Sequence, residues 1–145
     1  EGHVVLRGWE RALRLVTKAF VHSHWLGRQM REFRRYAVPI SANIYALWSE
    51  NPSDWSPQNH SCDANTVYDG LNVVATRSIA IGQELTLDYG TLMNEESESF
   101  ECDCRSENCR GVIQGTRGNC LSGLQASRGT PARPDASMVH RRTEP

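Results

Sequence analysis

Apolar residues recur at intervals of three and four in the first part of the chain, at Trp9, Leu13, Val16 and Phe20. Basic residues lie between them, and this pattern is typical of an amphipathic helix. Pro39 ends any helix, because its ring removes a backbone donor and biases the preceding residue toward an extended conformation. The sequence therefore predicts a helix near the N-terminus, within residues 9–36.

Short β-rich stretches follow in the middle of the chain. Residues 66–68 and 71–76 flank an Asp-Gly dipeptide at 69–70, which favours the tight turn of a β-hairpin. Residues 84–89 read as a further strand. Residues 51–65 are rich in Pro, Ser, Asn and Asp and are expected to form an irregular loop. We therefore expect a mainly β fold with short strands and long loops.

Length and composition limit the class of protein. The 145 residues allow one domain, or part of one, with a tail. With 39% hydrophobic and 23% charged residues, the composition is that of a globular protein and not of a disordered or membrane chain. No membrane span or signal peptide is visible, so we expect an intracellular protein. Because the first residue is Glu1, we also expect an incomplete N-terminus.

Charge is unevenly distributed, although the formal net charge is only -1. Residues 1–35 hold eight Lys or Arg and three acids, whereas residues 36–111 hold three Arg and twelve acids. The acidic segment would suit a partner rich in Lys or Arg, although simple solvated faces explain the charge equally well. No nucleic-acid recognition motif accompanies the basic segment, so direct contact with nucleic acid is not expected.

Four of the five cysteines have a spacing that suits a metal site. One residue separates Cys102 from Cys104, four more precede Cys109, and Cys62 lies forty residues upstream. Zinc takes four such ligands tetrahedrally, and Cys62 is the best candidate for the fourth. Ordinary thiols or two disulfides are the alternatives, but nothing marks the chain as secreted, which favours zinc. Cys120 is expected to be a spare thiol.

Two further motifs precede the cysteine cluster. They are Asn59-His60-Ser61-Cys62-Asp63-Ala64-Asn65 and Gly82-Gln83-Glu84-Leu85-Thr86-Leu87-Asp88-Tyr89-Gly90. In this order, and followed by the cysteines, they resemble the SET-domain protein lysine methyltransferases. The resemblance implies a SET-type (β-clip) fold with knot-like threading beside an S-adenosylmethionine pocket, and a small post-SET lobe that binds zinc. It also implies a basic, lysine-containing protein substrate such as a histone tail, and a nuclear location.

The resemblance assigns roles to individual residues. Asn59 and His60 are implied to contact the cofactor, the alternatives being a loop cap and a core histidine. Tyr89 is implied to contact the cofactor and to be catalytic, orienting the amine for an in-line displacement in which the protein contributes mainly alignment. Leu87 lies in the substrate channel where the family usually carries Tyr or Phe, so we expect di- or trimethylation. Asp88 is expected to be structural.

Residues 1–50 depart from the family pattern. The Gly-x-Gly segment that cradles the cofactor is not found, and the stretch looks basic and partly helical where the resemblance calls for strands. Tyr45 is expected to be a core aromatic residue rather than a pocket residue. A non-catalytic, zinc-stabilised interaction module is therefore the alternative function. We divide the chain into a degenerate or replaced N-terminal part of the SET domain (1–50), its C-terminal part (51–91), the post-SET zinc motif (98–115) and a disordered tail (116–145).

Overall fold

The computed structural model describes residues 2–8, 13–49 and 58–121. The strands in these ranges are β1 (Val4–Leu6), β2 (Leu13–Thr17), β3 (Val38–Pro39), β4 (Ile44–Trp48), β5 (Asn59–His60), β6 (Thr66–Asp69), β7 (Asn72–Ala75), β8 (Thr86–Leu87), β9 (Phe100–Glu101) and β10 (Val112–Ile113). The helices are α1 (Lys18–His24), α2 (Gly27–Tyr36) and a 3₁₀ helix (Tyr89–Thr91). The predicted mainly β fold class is confirmed.

The predicted N-terminal helix is wrong over its first part. Leu13–Thr17 is strand β2, which pairs antiparallel with β4 over its whole length, from Leu13 opposite Trp48 to Thr17 opposite Ile44. This long-range pairing satisfies the backbone of β2 and overrides the local periodicity, which carries no information about a partner thirty residues away. Trp9 lies outside the described residues. Residues 51–57 of the loop predicted at 51–65 also lie outside the described residues.

Helix α1 begins directly after β2. The Thr17 hydroxyl accepts a hydrogen bond from the Phe20 backbone N–H at 3.2 Å, which satisfies one of the unpaired donors of the first turn. Helix α2 follows after two residues and buries Phe33, whose ring packs edge-on against Tyr45 with centroids 4.9 Å apart. Tyr45 is 1% exposed, and its hydroxyl accepts from the Asn94 amide at 3.0 Å. It is a core residue, as predicted.

A five-stranded sheet has the order β1-β7-β6-β8-β5. The predicted hairpin is formed by β6 and β7, with Asp69 opposite Asn72, so the turn residues are Gly70 and Leu71, one position later than expected. Gly70 has a φ of 58°, a left-handed conformation that suits glycine. Strand β8 lies between β5 and β6 and is parallel to both. This insertion places the two sequence motifs side by side.

A core cluster includes residues of this sheet and extends to the end of the described chain. Its buried members are Trp48, Tyr68, Val73, Leu87, Leu92 and Leu121. The start of the tail that was predicted to be disordered (116–145) packs against the core. Leu121 is 4% exposed, and its backbone N–H donates to the Pro39 carbonyl at 2.8 Å. Residues 122–145 of that tail lie outside the described residues. None of the helices in the described ranges is long and apolar enough to cross a membrane.

Candidate functional site

Asn65 holds the two motifs in register. Its side-chain amide donates to the Glu84 carbonyl at 2.8 Å, and its Oδ1 accepts from the Thr86 backbone N–H at 2.9 Å. The Asn65 residue is 2% exposed, and both bonds are part-buried. Asn65 thereby fixes strand β8, which leads into Tyr89. Sequence reasoning did not single out this residue, although it ends the first motif.

The His60 imidazole lies inside the site and is fully engaged. Its Nδ1 accepts from the Tyr89 backbone N–H at 3.1 Å, and its Nε2 lies 3.4 Å from the Cys62 Sγ. Burial lowers the pKa of His60, and this outweighs the opposing effect of Asp88, so the ring is neutral at pH 7. A neutral imidazole that accepts at Nδ1 carries its proton on Nε2. The ring therefore donates toward the sulfur of Cys62.

Tyr89 projects from the start of the 3₁₀ helix. Its hydroxyl donates to the backbone carbonyl of Gln58 at 2.6 Å. Burial raises the pKa of Tyr89, so the phenol stays protonated at neutral pH. Because its single proton is committed to Gln58, the oxygen offers only lone pairs to any other group. Tyr89 can therefore accept a hydrogen bond from a bound donor but is a poor base.

A cavity of about 520 Å³ lies against Tyr89. This size lies within the range of small-molecule and side-chain binding sites. Leu87, 4% exposed, is part of its wall. The remaining lining residues are Arg35, Tyr36, Ala37, Val38, Trp48, Gln58, Tyr68, Leu92, Met93, Glu98, Ser99, Phe100 and Glu101. The cavity is thus an aromatic and aliphatic channel that also carries two carboxylates and one guanidinium group.

Asn59 lies outside this cavity. The residue is exposed, and its side-chain amide donates to the Glu84 carboxylate at 2.6 Å. Its neighbour Gln58 lines the cavity, so the chain passes from the cavity wall to the surface between these two residues. The pair of Asn59 and Glu84 offers a hydrogen-bond donor and an acceptor beside strand β8, which leads to Tyr89.

Three of the four predicted cysteine ligands, Cys62, Cys102 and Cys104, meet in one cluster with His60, and Cys109 lies beside it. The ligand atoms of His60, Cys62, Cys102 and Cys104 all lie within 4.8 Å of one another. The Cys102 Sγ is 3.9 Å from the Cys62 Sγ and 3.7 Å from the Cys109 Sγ. Thiolates around a tetrahedral zinc with Zn–S bonds of about 2.3 Å are separated by about 3.8 Å. The thiols and their spacing therefore fit zinc, and His60 is a neighbour that the cysteine spacing did not reveal, close enough to them to compete for the fourth position.

The environments of the cysteines differ within this cluster. The Ser106 hydroxyl, 3.1 Å from the Cys104 Sγ, together with the Cys62 backbone N–H, lowers the pKa of Cys104 to about 5. Burial and the neighbouring thiols raise the pKa of Cys102 to about 12. A cation in their midst would replace these protons and favour the thiolate in each case. Cys120 lies outside the cluster of His60, Cys62, Cys102 and Cys104.

An ionic contact fixes the segment that forms one wall of the cavity. The Glu96 carboxylate lies 2.6 Å from the Lys18 ammonium and 2.9 Å from the His22 Nε2. Burial alone would raise the pKa of Glu96, but the hydrogen bonds from Lys18 and His22 outweigh it and lower that pKa. The segment is thus tied to helix α1, two residues before Glu98 enters the cavity wall.

Comparison with protein families identifies the class of protein. Residues 4–90 match the family model described as the SET domain, which is more than half of the chain. The chain belongs to the SET domain family. The match includes strands β1 to β4, in the part of the chain that was expected to be degenerate or replaced.

Named proteins similar to this chain are mostly histone methyltransferases. Histone-lysine N-methyltransferase ash1 of Drosophila melanogaster is 39% identical over 94 residues, which is 59% of this chain and 4% of that protein. Methyltransferase flvH of Aspergillus flavus is 33% identical over 92 residues, covering 56% of this chain and 52% of that protein. Histone-lysine N-methyltransferase ASHR3 of Arabidopsis thaliana is 31% identical over 102 residues, covering 63% and 20%. The chain spans less than two thirds of each relative's length.

Proposed function

We propose that this SET domain transfers methyl groups from S-adenosylmethionine to lysine side chains of a basic protein such as a histone. The observation that carries the proposal is the aromatic cavity against Tyr89, whose hydroxyl faces a substrate only with lone pairs. Such an oxygen accepts a hydrogen bond from a lysine amine and orients the nitrogen lone pair. Orientation is the main contribution a protein makes to an in-line displacement.

The cavity lining suits the rest of a lysine side chain. Leu87, Tyr68 and Trp48 offer apolar contacts to its four methylene groups, and they exclude water that would solvate the amine. Bound S-adenosylmethionine supplies the reactive methyl group on its sulfonium. The Gln58 carbonyl holds the Tyr89 hydroxyl in one direction, so the accepting lone pairs have a fixed position. This arrangement aligns the amine rather than deprotonating it.

Asn59, His60 and Tyr89 are the residues that we propose hold the cofactor. The exposed Asn59 amide and the Glu84 carboxylate beside it complement the carboxylate and ammonium of an amino-acid moiety. The His60 ring is engaged by Tyr89 and Cys62, so its contribution comes from its backbone and from supporting Tyr89. This donor set fits a polar, zwitterionic ligand.

Zinc is proposed to bind Cys62, Cys102, Cys104 and Cys109. His60 competes for the fourth position by distance, but its Nε2 carries a proton and has no lone pair for a metal. We therefore propose Cys109, whose Sγ lies 3.7 Å from the Cys102 Sγ, as the fourth ligand. The metal holds together the segment after Tyr89, including Phe100, which contributes to the cavity wall.

Charge and relatives support the substrate class. Glu98 and Glu101 lie in the cavity wall and favour a substrate with basic residues around the lysine. Two of the three relatives named above are called histone-lysine N-methyltransferases. A histone substrate and a nuclear location are consistent with both observations.

The first test is isothermal titration of the zinc-loaded chain with S-adenosylmethionine. We expect saturable binding by the wild type, weakened in Asn59→Ala and unchanged in the matched control Asn43→Ala, which alters another exposed asparagine. Methyl transfer to a library of lysine peptides should then fall in Tyr89→Phe. Folded, zinc-loaded wild type that binds no cofactor would contradict the proposal and support a non-catalytic interaction module.

A further inference from the structure

Arg110 connects the cysteine cluster to the segment that carries Tyr89. Its Nε donates to the Cys62 Sγ at 3.4 Å, and its backbone N–H donates to the same sulfur at 3.4 Å. The other end of the guanidinium group contacts the Asp88 carboxylate through Nη2. One side chain thus touches both a cysteine of the metal cluster and the residue that precedes Tyr89.

The Asp88 carboxylate in turn organises the backbone around Tyr89. Its Oδ1 accepts from the Gly90 backbone N–H at 2.9 Å and so caps the 3₁₀ helix that begins at Tyr89. The same oxygen lies 3.9 Å from the His60 Nδ1, the atom that accepts from the Tyr89 backbone N–H. Movement of Asp88 would therefore be transmitted to Tyr89 from both sides.

Gly90 leaves the space that this arrangement needs. A Cβ at this position would lie 2.7 Å from the Arg110 Nη1 and 3.2 Å from the Asp88 Oδ1. Because the first of these distances is far below normal contact, any side chain at residue 90 would displace the guanidinium group. The close approach of Arg110 to the 3₁₀ helix is thus a specific feature of this segment.

The chemistry of the contact favours a positioning role. A guanidinium group presents several donors in a rigid plane, so it can bond a thiolate and a carboxylate at once, whereas an ammonium group acts as a single point charge. Hydrogen bonds to ligand atoms of a metal site orient those ligands and tune them. The Arg110 guanidinium group makes both kinds of bond, because it donates to the Cys62 sulfur on one side and to the Asp88 carboxylate on the other.

We propose that Arg110 is a positioning residue that couples the cysteine cluster to Tyr89 through Asp88. The cysteine cluster thereby sets the orientation of the tyrosine as well as holding the chain together. The proposal rests on the proposed function for its kinetic consequence, but not for its structural one. Replacing Arg110 should leave the protein folded and zinc-loaded while Tyr89 changes position.

The structural consequence is measured on the full chain labelled with ¹⁵N-tyrosine, at saturating zinc. The chain has four tyrosines, so four amide signals are expected, and Tyr89→Phe assigns the relevant one. We expect Arg110→Ala to shift the Tyr89 amide signal and leave that of Tyr45 unchanged. Arg105→Ala is the matched control, since it removes an arginine of the same loop whose side chain is 85% exposed. An unshifted Tyr89 signal in zinc-loaded Arg110→Ala would overturn the proposal.

The coupling through Asp88 is tested by a second variant. Asp88→Asn keeps an oxygen for the Gly90 N–H but removes the negative charge that faces Arg110. It should shift the Tyr89 signal in the same direction, and the double variant should shift it no further, because both changes break one contact. Additive shifts would overturn the coupling. This variant also keeps the test valid if Arg110→Ala fails to fold.

The kinetic consequence separates failure of this inference from failure of the proposed function. In an active protein, Arg110→Ala should lower kcat by about 10–100-fold with an unchanged KM for peptide. Arg110→Lys should not restore kcat, and full restoration would contradict the bridging role. A wild type that methylates no lysine would contradict the proposed function, whereas the amide shifts would still decide the role of Arg110.

Discussion

Replacing Asn65 with alanine tests how far one buried side chain holds the candidate site together. The wild-type amide bonds the Glu84 carbonyl and the Thr86 N–H of the strand that leads to Tyr89. Alanine lacks the amide, so the Glu84 carbonyl and the Thr86 N–H both lose the partner that the 2% exposed Asn65 provides. The Thr86 hydroxyl also donates to the Asn65 Oδ1 at 3.4 Å, so the effect of the change reports on the bonds between this side chain and residues 84–86.

The magnitude follows from the number of groups left without partners. A hydrogen bond contributes about 0.5–1.5 kcal/mol net, and both bonds are part-buried, so their loss costs about 1–3 kcal/mol in total. A domain of this size has a total stability of about 5–15 kcal/mol. Asn65→Ala should therefore remove a measurable part of the free energy of unfolding and weaken the attachment of strand β8 to Asn65.

Urea unfolding followed by tryptophan fluorescence measures this effect. Asn43→Ala is the matched control, because Asn43 is exposed and its loss should change the free energy of unfolding by no more than about 0.5 kcal/mol. Wild type and both variants are compared at equal zinc concentration, since metal binding shifts apparent stability. A destabilisation by Asn65→Ala of less than about 1 kcal/mol would refute the reasoning that these backbone groups depend on it.

Three further predictions concern the metal, the product and pH. Cys109→Ser should lower zinc affinity by more than about 100-fold, which exceeds the loss expected when only a residue that hydrogen-bonds a metal ligand is removed. His60→Phe should still bind one zinc per chain. The opposite result in a zinc-binding assay would make His60 the ligand. Leu87→Tyr should shift the products from di- or trimethyl-lysine toward monomethyl-lysine, as measured by mass spectrometry of the methylated peptide. A wild type that gives only the monomethyl product would contradict this prediction. Because its pKa is lowered in the folded chain, Glu96 stabilises the protein above its ordinary pKa of 4.5 and less as pH falls below it. Glu96→Gln should thus cost about 0.2–1 kcal/mol at pH 7 and nothing at low pH, and a cost independent of pH would exclude the pairing with Lys18.

The residues of the candidate site were more predictable than their orientations. Closely spaced cysteines have few ways to arrange their thiols, so Cys102, Cys104 and Cys109 could be grouped from spacing alone. The direction of the His60 ring depends on the Tyr89 backbone, 29 residues away, and no local pattern encodes it. Arg110 was missed for the same reason, since its importance lies in contacts across the fold.

The elements were predictable where local chemistry decides them. The hairpin around Gly70 follows from turn residues and alternation, and the structure moves it by only one position. Strand β2 was mistaken for helix because its partner β4 lies far along the chain, and pairing with that partner outweighs propensity. The first residues of the tail, including Leu121, find a core that the composition of the tail does not suggest.

The position of β8 between β5 and β6 constrains the order in which this protein can fold during synthesis. The β6–β7 hairpin is local and can form as soon as its residues leave the ribosome, but β5 and β6 must keep a gap until residues 86–87 arrive. Contacts between distant segments form slowly, because the chain between them must be ordered first. The cysteines at 102–109 are translated later still. The site is thus completed only when Leu87, Tyr89 and the three late cysteines join residues 58–62, which were translated before the hairpin.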